Sequence, residues 1–200
     1  MSTYNVTIEG IRPLIMHNGR LANPLDEHTK ALKAAAHKRQ KTDDDVIELA
    51  RLEFMGGLYY DAKEGPVLPA DNINACMFEG ARVRKLGKVF ETCVEVLPGS
   101  FGPDDTFGYK LNYKGPRDAN ALWETSSHRL TKGVRIGQSK VMRTRPKFDK
   151  WACTFQIEVT DDGPEKDVIL EALTDAGRSK GIGDWTPRYG RFEVTSLEAV

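Results

Sequence analysis

The sequence offers little from which to build a covalent or metal framework. Its three cysteines, Cys76, Cys93 and Cys153, lie far apart, each among apolar residues. An odd count without paired spacing excludes a disulfide framework and a zinc knuckle, and predicts small buried thiols in a reducing compartment. The four histidines, His17, His28, His37 and His128, share no ligand spacing with each other or with the cysteines, so neither a metal nor a cofactor is expected. No Ser-His-Asp, Walker or Rossmann pattern occurs. No apolar run approaches the ~20 residues of a membrane helix, and MSTYNVTIEG lacks the basic start and apolar run of a signal peptide. A soluble cytoplasmic protein without a membrane partner is expected. Net charge is missing too: 29 Lys and Arg balance 29 Asp and Glu. Any affinity for a polyanion must therefore come from local patterning.

What is present is a regular alternation of secondary-structure signals over 200 residues, enough for one domain with a real core. Tyr4, Val6 and Ile8 alternate with polar residues, the period of a half-buried strand, closed by Gly10, Pro13 and the His17-Asn18-Gly19 turn. An Ala- and Lys-rich helix over 26–41 and a second helix from Thr42 to about Met55 follow, with a short strand at 58–60. Ile73, Cys76, Met77, Gly80 and Ala81 recur at helical spacing, and Asp71 or Asn72 is placed to cap that helix. The stretch 88–97 reads as a strand. Residues 98–150 are rich in Gly, Pro and charge, with hairpins expected at 107–113 and 132–147. Trp151 to Val159 alternates cleanly as a strand. An amphipathic helix over 165–178 and a last strand over 189–197 complete the chain.

Without the insertions the order is strand, helix, strand, strand, helix, strand. The expected class is α+β, with a ferredoxin-like/RRM-like βαββαβ core. A helical insertion (about 20–56) follows strand 1, and a basic thumb-like insertion (about 98–150) separates strands 2 and 3. Three segments then carry a resemblance. Pro13 to Gly19, Val67 to Ile73, and the glycine-bearing stretch Gly181 to Phe192 resemble, in this order, motifs of the RAMP superfamily of CRISPR-associated RNA-binding proteins. They are most similar to its crRNA-binding backbone subunits. Ala70-Asp71-Asn72-Ile73-Asn74 departs from that family's Gly-Ser-Ser-φ-Lys helix start by losing a cation and gaining an acid, as in a divergent relative from a virus (phage) or mobile element. The resemblance implies a single-stranded RNA or DNA partner, backbone contact at the glycine loop, and head-to-tail homo-oligomerisation along the strand.

Residue chemistry supplies the candidate contacts. Gly181 and Gly183 let backbone amides approach a phosphate, Arg188 and Arg191 neutralise it, and Trp185 stacks on a base. His17 and Asn18 come from the first turn. From Arg129 to Lys150 eight cations face one acid, Asp149. Within this patch Arg135, Lys140, Arg143 and Arg145 are the expected phosphate contacts, with Arg143 and Arg145 on one strand face and Met142 or Phe148 as a wedge between bases. The run Lys30 to Asp45 reads as dipole complementarity between two helix ends, not as a binding site. No catalytic residue is assigned. The alternatives are a metal-independent ribonuclease using His17 or His128 as general acid or base, and a protein-interaction module without a nucleic-acid ligand.

Overall fold

The computed structural model describes residues 1–102 and 107–200, so residues 103–106 of the expected thumb-like insertion lie outside the described residues. Strand β1 (Ser2–Gly10) buries Val6 and Ile8, and β2 (Leu14–Ile15) follows it. Helix α1 (Glu27–Ala36) starts where the Asp26 carboxylate accepts from the amides of His28 and Thr29. Helix α2 (Asp43–Gly57) opens on a capping box between Thr42 and Asp45. The Arg20 guanidinium closes the other end of α2, donating to the carbonyls of Met55, Gly56 and Leu58 at 3.0 Å. Lys41 donates to the carbonyls of Ala36 and Lys38 at the C-terminal end of α1, and Lys38 pairs with Asp45, as dipole complementarity requires.

Next come β3 (Tyr60–Asp61), β4 (Gly65–Pro69), α3 (Ala70–Val83) and α4 (Gly87–Cys93). After α4 lie β5 (Val94–Val96), β6 (Gly108–Asn112) and α5 (Ala119–Glu124). The hairpin of β7 (Arg129–Ile136) and β8 (Ser139–Phe148) precedes β9 (Ala152–Val159), α6 (Lys166–Asp175) and β10 (Phe192–Ala199). A single π-type turn, Ala176–Lys180, extends α6.

The main sheet runs β10-β1-β9-β6-β4-β3, with β5 sharing the free edge of β9 beside β6. The β10-β1-β9-β5 order is the ferredoxin-like arrangement, and the α+β class stands. The hairpin β7-β8 forms a separate sheet with β2. Among the described residues no helix is long and apolar enough to cross a membrane.

Three expectations need correcting. The strand expected over 88–97 is helix α4 for most of its length, because Gly87 and Phe90 are buried while Lys88 and Val89 between them are exposed, the spacing of a helix and not of a strand. The segment 107–113 is not a hairpin of the insertion. As β6 it bridges β4 and β9 in the main sheet. Neither Asp71 nor Asn72 caps α3. The cap position is Pro69, and the Ala70 amide donates to the Phe107 carbonyl at 2.9 Å, so strand β4 runs into the helix without a capping side chain.

Helices α3 and α6 meet almost backbone to backbone. A Cβ on Gly80 would lie 2.2 Å from the Ala172 carbonyl oxygen. Replacing Gly by Ala in a helix gains up to about 1 kcal/mol of propensity. Overpacking against backbone costs about 1–3 kcal/mol and should win. Gly80→Ala is therefore expected to lower the urea midpoint with an unchanged m-value; a rise in midpoint would refute this helix contact.

The thiols offer a second check. Burial pushes Cys76 and Cys153 up to about 12, whereas Cys93 is only half-buried. A water-soluble thiol reagent should label Cys93 in the native protein and reach Cys76 and Cys153 only on unfolding. Native labelling of Cys153 at the rate of Cys93 would contradict the placement of β9.

Candidate nucleic-acid interface

The three sequence segments that carry the family resemblance are brought to one place. The glycine loop is zipped to the first-strand turn by main-chain bonds: Gly190 N donates to Pro13 O and Asp184 N to Ile15 O, both at 2.8 Å. Ile182 N closes the loop on Gly190 O at 2.9 Å. Gly181, Gly183 and Gly190 all have positive φ. A Cβ on Gly183 would sit 2.5 Å from Ile15 O, so the loop can lie this close only without side chains. Helix α3 joins through Cys76, whose thiol lies 3.2 Å from Gly181 O.

Between these segments opens a cleft of about 620 Å³. His17 and Tyr59 stand on one side, Asn72 and Glu79 of α3 on another, and Lys180 with Gly181–Asp184 on the third. Asn72 reaches the cleft because α3 starts at Ala70 and leaves its amide unused as a cap. Lys180 and Glu79 approach to 3.6 Å, so the walls are polar and of mixed charge. His17 is exposed at the rim, yet partial desolvation, and then the Arg145 cation, hold its pKa below the ordinary 6.5. The imidazole is neutral at pH 7. Tyr59 and Glu79 had no motif in the sequence to single them out.

The loop's aromatic residues face the hairpin. Trp185, a non-glycine residue at φ 55, is held by its amide donating to Asp184 Oδ1 at 2.9 Å. Such a left-handed conformation costs roughly 1–2 kcal/mol, and residues held so cluster at functional sites. Its ring lies 6.1 Å from that of Tyr189. The Lys132 ammonium stands 5.9 Å from the Trp185 ring centroid and 3.2 Å from the Tyr189 hydroxyl. The Arg145 guanidinium is also 5.9 Å from the Trp185 ring. Trp185 is half-buried.

Several expected contacts have other employment. Asn18 is buried: its oxygen accepts from the Arg20 amide at 3.0 Å and its amide donates to Leu58 O at 3.1 Å. Arg143 and Arg145 are not free to follow a phosphate backbone. Arg143 pairs with Glu53, a buried carboxylate of α2 that also accepts from the Thr144 amide at 2.8 Å. Arg145 is 8% exposed and reaches Asp184 at 3.1 Å. Phe148 is buried and cannot wedge between bases, whereas Met142 is exposed. His128 is buried against Tyr113 and Phe148, with Nδ1 3.1 Å from Lys147 O. That removes it as an accessible general acid or base. Arg135 and Lys140 remain at the hairpin tip, exposed and directly opposite each other. Arg188 is exposed and Arg191 half-buried; neither lines the cleft.

The outer face of the main sheet has a different character. Glu9 lies opposite Glu193, and Glu95 opposite Glu158. Between them Asn5 bonds Gln156 and Thr7 bonds Thr154, each at 3.0 Å. Like charges directly opposite are mutually destabilising and repel a polyanion.

Removing Arg143 should reveal its structural role. Arg143→Ala leaves the buried Glu53 without its cation, and the expected loss is about 1–3 kcal/mol by urea denaturation. A variant as stable as the parent would show that the ion pair does not anchor the hairpin to α2.

No family model matches the sequence, and no curated protein matches it. Among solved structures, a chain from the cryo-EM structure of the Type III-B Cmr-beta bound to cognate target RNA is similar, with a TM-score of 0.52 and 15% identity. The match covers 100% of this chain but 60% of that one, so this chain spans about three-fifths of its length. The likeness is one of fold.

Proposed function

We propose that this chain binds single-stranded nucleic acid, RNA in the first instance, along the cleft and glycine loop, contacting it chiefly through its backbone. One observation carries this reading: three segments far apart in sequence, each resembling a RAMP motif, line one cleft. The fold likeness to a chain from an RNA-bound Cmr complex supports the same class of ligand. The strand lies over the loop, with Trp185 stacking on a base and His17 and Tyr59 bordering its path. The tip cations Arg135 and Lys140 hold phosphates farther out, and Met142 lies beside them. The acidic sheet face supports placing the strand at the loop end, unlike RNA-recognition sheets that stack bases on their open face. Backbone contact of this kind reads little sequence, and copies of the chain are proposed to line up head to tail along one strand.

The test is fluorescence anisotropy with labelled single-stranded RNA and DNA at several salt concentrations, in EDTA. Trp185→Ala should weaken binding with little change in salt slope, since stacking, worth about 1–3 kcal/mol per base, carries little charge. Arg135→Ala with Lys140→Ala should flatten the log–log slope by about 0.7 for each lost phosphate contact. Lys38→Ala with Arg39→Ala, at the exposed helix junction, is the control and should leave binding unchanged. Equal losses in all three would reduce the effect to general charge, and cleavage of the RNA abolished by His17→Ala would favour the nuclease reading instead.

A further inference from the structure

A second cluster of cations sits on the flank of the glycine loop, outside the lining of the cleft. Residues 11–13 and 188–191 are zipped together: Arg191 O accepts from Ile11 N at 2.9 Å and from Arg12 N at 3.1 Å, and Gly190 N donates to Pro13 O. This puts Arg12 beside Arg191, with Arg188 in the same loop. Most arginines of the chain have been given work. Arg51, Arg82, Arg84, Arg143 and Arg145 are in ion pairs, Arg117 donates to a carbonyl, and Arg129 covers Trp123. The side chains of Arg12, Arg188 and Arg191 make no ion pair among the described residues. Glu9 and Glu193, the registered pair next along the strands, do not reach them.

One atom sharpens the point. Arg191 Nε is buried and has no hydrogen-bond partner among the described residues. A buried donor left unsatisfied is costly, and a charged one more so. Arg12, Arg188 and Arg191 thus share one short region of main chain, with no carboxylate paired to them among the described residues. An oxyanion seated against these segments accepts from the forks of the exposed Arg12 and Arg188 and neutralises the charge of Arg191 beside them. Planar guanidinium donors suit phosphate in particular.

We infer that Arg12, Arg188 and Arg191 form a phosphate-binding subsite that holds a phosphodiester of the bound strand after it crosses the glycine loop. The inference rests on the nucleic-acid reading for its ligand but not for its anion chemistry. Arg12, which belongs to none of the three lining segments of the cleft, becomes part of the interface through its pairing with Arg191.

The experiment measures binding of a labelled oligouridylate with Arg12→Gln and Arg191→Gln combined. Because Arg191 is half-buried, Arg12→Gln with Arg188→Gln, both exposed, serves as the second variant. Each should weaken binding about tenfold, the equivalent of one charged hydrogen bond, and flatten the log–log salt slope by about 0.7 per lost contact. Parent-like affinity and slope in the Arg12/Arg188 variant, with Trp185→Ala still impaired, would overturn the subsite and leave the nucleic-acid reading standing. A parallel thermal-shift series compares inorganic phosphate with chloride at matched ionic strength. If the parent binds no RNA but phosphate raises its Tm and the variant loses that rise, the anion site stands and the nucleic-acid reading falls. If neither RNA nor phosphate has an effect on the parent, both fall.

Discussion

The site depends on a main-chain seam between the glycine loop and the turn after the first strand. Gly190 N to Pro13 O and Asp184 N to Ile15 O bring two parts of the chain some 170 residues apart within hydrogen-bonding distance. The seam tolerates no side chain at Gly183 or Gly190, since a Cβ there would fall 2.5 Å from Ile15 O and 1.8 Å from Ile182 O. Because both seam partners are backbone groups, the geometry is fixed by conformation more than by side-chain identity. The cleft, the strained Trp185 and the paired arginine segments are all consequences of it. The loop amides used in the seam are at the same time withdrawn from any phosphate. That shifts the chemistry of the loop from its backbone to the side chains it presents.

The hairpin shows how a cluster of cations divides between structure and surface. Arg143 and Arg145 point inward, to Glu53 on α2 and Asp184 on the loop. These two bridges hold the hairpin to both neighbouring elements. Lys132 adds a third tie through the Tyr189 hydroxyl. The accessible positive charge is concentrated at the tip, where Arg135 and Lys140 face each other across the turn. A hairpin anchored in this way is held beside the glycine loop, with its tip exposed.

Charge is also sorted between the faces of the molecule. A net charge of zero hides an outer sheet face bearing Glu9, Glu193, Glu95 and Glu158 and a loop end bearing Arg12, Arg188 and Arg191. Local fields of opposite sign act on an approaching polyanion even where the total charge attracts nothing. The bland composition is thus an average over two unlike surfaces.

Much of the fold was legible because it rests on periodicity. The alternation of Val6 and Ile8, and of Cys153, Phe155 and Ile157, can be satisfied only by half-buried strands, and the spacing of Ile73, Met77, Gly80 and Ala81 only by a helix. The failures came where one local signal had two readings. Val89-Phe90 looks like strand until burial falls on Gly87 and Phe90, at helical spacing. Asp71 and Asn72 look like caps until Phe107 O takes the Ala70 amide. The candidate site was legible as three motifs but not as a cleft, since nothing in the chain states that Pro13 meets Gly190. The residue types that bind phosphate were determined by the sequence alone, as was the count of cations in the hairpin. Which of them remain available was decided only by tertiary structure. An arginine's charge belongs to the residue, but its partner is whatever packing brings within reach: a buried Glu53 for Arg143, Asp184 for Arg145, and no carboxylate among the described residues for Arg12 and Arg191.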